Sequence, residues 1–281
     1  MSTFTEPFSA SSGDPFWVGL VDDAATFPPG DAPLDAALTA YADRAGPAAR
    51  LVRSLVVRDT DLPQVPAGTP VSVVLTGGAG QVHGPAQLCQ RRGLPVAGLE
   101  IALRDVDDPA GNARRVVAAV DAARGEGVLD EDTPVFVELP AVDPAYSWLA
   151  AADEVAAAEL RLKLRTGGLD PDAFPTPERL AAWIDAALDR ELPFKCTAGL
   201  HRALPHVDAD GCAHHGFLTL LAATRVAFDG GSPDDVVATL RRDDATDLLA
   251  LDLAGARRWF TSFGSCSIDE PLADLRELVS L

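Results

Sequence analysis

The sequence predicts a single-domain α/β protein, a (β/α)8 TIM barrel over residues 15–281 behind a flexible segment at 1–14. Three observations lead there. Eight short apolar runs alternate with longer stretches of helical periodicity, the pattern of a parallel sheet with crossover helices. The eight units fill roughly 250 residues, the size of such a barrel. No Gly-x-Gly-x-x-Gly follows the first run, which argues against an open dinucleotide-binding sheet.

The first strand is expected at Phe16–Val21, ended by Asp22-Asp23 and by Phe27-Pro28-Pro29-Gly30, which cannot continue a strand. Apolar residues at helical spacing then predict a helix over 34–45. The β-branched run Leu51–Val57 is the second strand, and Val71–Leu75, closed by Gly77-Gly78, the third. Val96–Leu103 is the fourth, with a helix over 112–124. Val135–Leu139 is the fifth, with a helix over 146–158, and Leu160–Thr166 the sixth, ended by Gly167-Gly168. Thr176 before Pro177 is a cap-and-start signal for a helix over 177–189. The seventh strand is Pro193–Ala198. Two helices over 214–228 and 233–241 follow, where an insertion is expected, then the eighth strand, Phe260–Cys266, and a helix over 270–278.

The 281 residues carry 42 acids against 23 bases, a formal net charge of −19. A field of that sign repels phosphate backbones and anionic bilayers, so neither nucleic acid nor membrane is an expected partner. A small anionic substrate remains compatible, because a local basic pocket overrides the global field. Four cysteines without a C-x-x-C pair, and a start lacking a basic and apolar leader, lead to a cytoplasmic expectation. Homo-oligomerisation stays open.

Of the 23 bases only two are lysines, Lys163 and Lys195; the other 21 are arginines. Lysine can shed its proton when desolvated and arginine cannot. Strand alternation turns Leu160, Leu162 and Leu164 toward the helices and Arg161, Lys163 and Arg165 inward. The same rule turns inward Lys195 and Thr197, Gly98, Glu100 and Ala102, and Phe136 and Glu138. Four neighbouring strands thus offer Glu100, Glu138, Lys163 and Lys195 to one enclosed space. Two readings stay open. The four form a structural salt-bridge network, or crowding by a second cation lowers one lysine's pKa until its amine attacks a carbonyl.

These residues resemble a family. Lys163-Leu164-Arg165-Thr166-Gly167 resembles the strand-six Lys-x-x-Thr-Gly of deoxyribose-phosphate aldolases, which are class I (Schiff-base) barrels. Phe194-Lys195-Cys196-Thr197-Ala198-Gly199-Leu200 is similar to that family's strand-seven Lys-x-x-Gly-Gly segment, and Phe263-Gly264-Ser265-Cys266-Ser267 to its strand-eight phosphate turn. Asp22 and Glu138 fall where the family has acids. The resemblance implies a Schiff-base lyase acting on a small phosphorylated or carboxylated carbonyl compound, with no cofactor and no metal. It implies Lys163 as nucleophile, Lys195 as its tuner, and Glu138, Glu100 or Asp22 as proton carriers. Gly199, Gly264 and Ser267 would hold a phosphate. Arg165, Thr166, Gly167, Thr197, His201 and Ser265 complete the expected substrate-binding set. Three departures set the chain apart: Ala102 stands where the family has a proton-relay aspartate, Arg165 where it has a small residue, and the second helix between strands seven and eight is extra. Together they point to a divergent relative with another carbonyl substrate.

Other constellations have their own readings. Arg165-Thr166-Gly167-Gly168 suits an anion or is a plain glycine turn. His201 follows strand seven and either overlooks the site or lies in a surface loop. His214-His215, at an expected helix start, point in different directions, which disfavours a shared metal. Asp22-Asp23 with Glu100 and Glu138 are an alternative Mg²⁺ set for an enolate-stabilising enzyme. A non-catalytic anion-binding barrel is a further alternative. Cys196 and Cys266 are expected as packed small hydrophobes.

Overall fold

The structure, a computed structural model, describes residues 15–208 and 211–279. The expected flexible segment at 1–14 lies outside them.

The chain runs β1 (Val21–Asp23), α1 (Leu34–Ala42), α2 (Gly46–Leu51), β2 (Val52–Arg58), β3 (Val71–Val74), α3 (His83–Arg92), β4 (Val96–Ala102) and α4 (Pro109–Gly125). It continues through β5 (Val135–Glu138), α5 (Tyr146–Ala157), β6 (Arg161–Arg165), α6 (Pro177–Leu188) and β7 (Phe194–Thr197). A short antiparallel ribbon, His206–Val207 with Ala213–His214, comes next. Then follow α7 (Phe217–Phe228), α8 (Pro233–Leu240), α9 (Ala245–Leu249), β8 (Phe260–Ser265) and α10 (Asp269–Val279). The eight barrel strands are all parallel, and β1 pairs with both β2 and β8, closing the sheet. This is the (β/α)8 barrel the sequence predicts.

Alternation explains what faces where. Leu55, Val57, Val73, Leu99, Ile101, Val137, Leu162, Leu164, Phe194, Cys196 and Phe263 are buried on the outer face, in the layer between sheet and helices. The intervening residues fill the interior. Near its base Phe136 packs where Gly98 leaves room: a Cβ at Gly98 would come within 2.9 Å of the Phe136 ring. Arg53, Arg161 and Lys195 all approach that ring, at 5.4–5.8 Å from its centroid.

Several boundaries differ from expectation. The apolar run at 16–21 splits: Phe16 and Trp17 sit edge-to-face in a 3-10 turn, and β1 starts only at Val21. The helix expected over 34–45 stops at Ala42, and a short second helix, α2, follows at Gly46–Leu51, where none was expected. α3 was not expected, since its ten residues bury only Ala86 and Cys89 and show no apolar stripe. His214-His215 do not open a helix. His214 belongs to the short ribbon and His215 follows it outside any element; α7 begins at Phe217 after Gly216, which packs against the Ala203 backbone with no room for a side chain. α9, five residues long, is too short to show periodicity. The inserted helices stay on the barrel, with α8 against α6 and α7. Among the described residues no helix is long and apolar enough to cross a membrane.

Candidate active site

A cavity of about 330 Å³ opens at the C-terminal ends of the strands, where enzymes of this architecture carry their sites. Lys163, Lys195, Glu100 and Glu138 line it. Register brings them together: Glu138 pairs with Lys163 and Lys163 with Lys195 across β5, β6 and β7, and Glu100 reaches in from β4.

The side chains form one line of alternating charge. Arg53 Nε donates to Asp22 at 3.0 Å, and Lys195 Nζ contacts Asp22 at 2.6 Å and Glu100 at 2.5 Å. Lys163 Nζ contacts Glu100 at 2.8 Å and Glu138 at 2.9 Å, and Arg165 Nε donates to Glu138 at 2.7 Å. Ser54 and Ser262 also donate to Asp22, at 2.7 and 2.8 Å. Buried charge is tolerable only when paired in this way.

This corrects the expectation that one lysine crowds the other. Glu100 stands between the two ammonium groups and bonds both. Burial alone would lower the Lys163 pKa, but Glu100 and Glu138 outweigh it, so Lys163 is held above its ordinary value, protonated. Burial alone would raise the carboxylates. Lys163 and Lys195 instead pull Glu100 down to about 2, while Lys195 and Arg53 lower Asp22, and Lys163 and Arg165 lower Glu138. Along this line Lys195 occupies one oxygen of Glu100 that would otherwise serve Lys163.

The remaining expected residues divide. Arg165, Thr197, Gly199, His201 and Gly264 line the cavity. Arg165 is 38% exposed, with its Nε on Glu138 and its head at the mouth. Thr166 does not face the cavity: it is fully buried and its hydroxyl donates to the Ala198 carbonyl at 2.7 Å. Gly167 is a packing glycine, since a Cβ there would lie 2.8 Å from Gly199 Cα. Gly199 in turn needs its φ of 73° to turn the chain at the end of β7. Ser265 points away from the cavity and is buried, 3.5 Å from His201 Nδ1, while Ser267 receives the Glu270 N–H at 3.4 Å. Strand alternation accounts for this: Ser262 and Gly264 face in, so Ser265 faces out.

His201 Nδ1 lies 3.0 Å from Glu270, and its Nε2 lies 3.9 Å from Cys266 Sγ. Cys266 therefore is not simply packed. It borders the cavity beside a histidine, but burial raises its thiol pKa, so it is no ready thiolate. A larger, more open groove of about 760 Å³ begins beyond His201. Glu270, Asp274 and Glu277 line it together with His201, Arg202 and His206. The proposed Mg²⁺ set does not assemble. Asp23 turns away to Arg44 at 2.7 Å, and Asp22, Glu100 and Glu138 are each already bonded by two cationic groups.

Sequence reasoning missed Arg53 and Arg104. Arg53 reaches Asp22 through a register shift between Val21 and Asp22, invisible in sequence. Arg104 lines the cavity with its guanidinium on the Thr76 carbonyl at 2.7 Å. Extending the inward series Gly98, Glu100, Ala102 by one step would have found it.

No family model matches the chain, and no curated protein matches it in sequence. Among solved structures it is similar to the deoxyribose phosphate aldolase from Aeropyrum pernix, described as having a unique tetrameric structure. The TM-score is 0.55 and the identity 15%, with 95% of this chain and 94% of that chain covered. The likeness is one of fold.

Proposed function

We propose that the chain is a Schiff-base-forming lyase, a class I aldolase-like enzyme, acting on a small carbonyl compound that carries a phosphate or carboxylate. One observation carries the reading: the only two lysines of the chain meet inside the barrel, on adjacent strands, lining a cavity at its C-terminal mouth. The fold likeness to an aldolase supports it.

In the resting site Lys163 is an ammonium held by Glu100 and Glu138. A bound carbonyl carbon at Nζ lets the proton pass to Glu138, the partner nearer the mouth, and the free amine adds to that carbon. Glu138 returns that proton to the new alkoxide and then carries a second one from the amine nitrogen to the same oxygen, which leaves as water. The ammonium and carbonyl thus become an iminium plus water, with Glu138 ionised again. The bond between the α and β carbons then breaks, its electron pair passing into the iminium to give an enamine while ionised Glu138 takes the β-hydroxyl proton and the departing fragment becomes an aldehyde or ketone; protonation of the enamine carbon and addition of water then free Lys163. Lys195 stays an ion-pair partner and limits the grip of Glu100 on Lys163. Arg165 and Arg104, at the rim, suit the substrate anion.

Borohydride trapping with small phosphorylated and carboxylated aldehydes and ketones, followed by peptide mass mapping, tests the reading. A reduced adduct on Lys163, absent in Lys163→Arg, is expected. No adduct with any of them, with the ligand nevertheless bound, would leave an anion-binding barrel with a structural charge network. Self-association belongs to the same proposal, since the A. pernix aldolase is tetrameric; sedimentation giving a monomer would remove it.

A further inference from the structure

The ribbon after β7 brings together His206, Asp208 and His214, whose ligand atoms lie within 4.8 Å of one another. His206 and His214 face each other across the ribbon, with rings stacked at 4.8 Å. His214 Nδ1 lies 3.1 Å from the Gly199 carbonyl and His206 Nδ1 lies 3.3 Å from the Leu204 carbonyl. A carbonyl only accepts, so in both rings the Nδ1 carries the proton. In the neutral imidazole that leaves each Nε2 as a bare lone pair.

Both lone pairs are aimed at a carboxylate. His206 Nε2 lies 3.5 Å from Asp208 Oδ1, and His214 Nε2 lies 3.0 Å from Asp208 Oδ2. The His214 side chain is only 7% exposed, and its Nε2 makes no hydrogen bond despite that approach. A protonated His214 paired with Asp208 would make one. Among the described residues, three acceptors converge without a donor, an arrangement that calls for a cation. Two imidazoles and one carboxylate suit a borderline divalent transition ion, not the all-oxygen preference of Mg²⁺ or Ca²⁺. Metal–ligand bonds near 2.0–2.1 Å give tetrahedral edges of about 3.3 Å, near the 3.5 and 3.0 Å at which the two carboxylate oxygens approach the two rings, one oxygen to each. Backbone carbonyls orienting each ring through its far nitrogen are the usual support of metal-binding histidines.

We propose that His206, Asp208 and His214 bind one Zn²⁺ ion with a fourth position open to solvent. The ion clamps the ribbon and, through the His214–Gly199 bond, steadies the wall of the barrel cavity. The site stands independently of the Schiff-base reading, because none of its three side chains belongs to the lysine network.

Tag-free full-length protein, stripped with a chelator and dialysed, would be titrated with Zn²⁺ by calorimetry, and its metal content measured by elemental analysis. One equivalent per chain is expected. Asp208→Asn and His206→Ala remove ligands at partly exposed positions, and each is expected to weaken binding by more than the ~10–100-fold that loss of a mere orienting partner costs. His83→Ala, at a half-buried histidine elsewhere, leaves it unchanged. Circular dichroism of the metal-free variants matching the metal-free wild type shows that folding is not what was lost. Co²⁺ in place of Zn²⁺ is expected to give the intense visible bands of a four-coordinate site. Failure to bind one equivalent, or binding unchanged in both variants, overturns the proposal whatever borohydride trapping shows.

Discussion

Glu100→Gln tests the physics of the site most directly. Glu100 is 2% exposed and holds Lys195 at 2.5 Å and Lys163 at 2.8 Å. The two ammonium groups pull its pKa from 4.5 to about 2 against the opposing effect of burial. At about 1.4 kcal/mol per unit, that difference is worth roughly 3 kcal/mol of stability at pH 7. Removing one member of a buried ion pair typically costs about 3–5 kcal/mol, which agrees. The amide also turns an N–H₂ donor toward one of the two ammonium donors. The sign follows from the depressed pKa. The stabilisation is complete above about pH 4.5 and is lost as pH falls toward 2. Equilibrium urea denaturation of wild type and variant would give a gap of about 3 kcal/mol at pH 7, shrinking to under half of that by pH 3. A gap below about 1 kcal/mol at pH 7, or one that does not narrow in acid, would refute the assignment of Glu100 as the shared anion of both lysines.

Gly199→Ala is expected to cost about 2 kcal/mol or more, because φ is 73° and the new Cβ would lie 2.9 Å from the Thr166 carbonyl oxygen; a thermal midpoint within a degree of wild type would contradict this. Burial pushes the Cys89 thiol up to about 11 and raises Cys196 as well. Iodoacetamide at pH 8 should therefore leave both unmodified in the native protein and label them once it is unfolded, as read by peptide mass mapping. Thr166→Val removes only the hydroxyl that donates to Ala198, so the cost should be about 1–3 kcal/mol of stability, with ligand affinity of the folded protein unchanged; a large loss of affinity would place Thr166 in the site after all.

The fold was legible because parallel strands buried on both sides write themselves as apolar runs, and crossover helices separate them at regular intervals. Where the record is weak, the reading slipped. α3 buries two small side chains and α9 is a single turn and a half, so neither writes a stripe. Phe16 and Trp17 read as strand because they are aromatic, yet they pack as a 3-10 turn. The inward lysines and glutamates were legible by alternation alone. Arg165 was legible as a cation facing the site, while Arg53 depended on a register shift.

By itself the sequence determined the barrel, the two lysines on neighbouring strands and the carboxylates that share their interior, since a period of two assigns each strand residue to a face. Tertiary structure decided the rest. It placed Glu100 between the lysines, turned Thr166 and Ser265 out of the cavity, and folded His206 and His214 against each other over Asp208. Those outcomes depend on distances between strands and loops far apart in the chain, which closing the sheet fixes and no local pattern records.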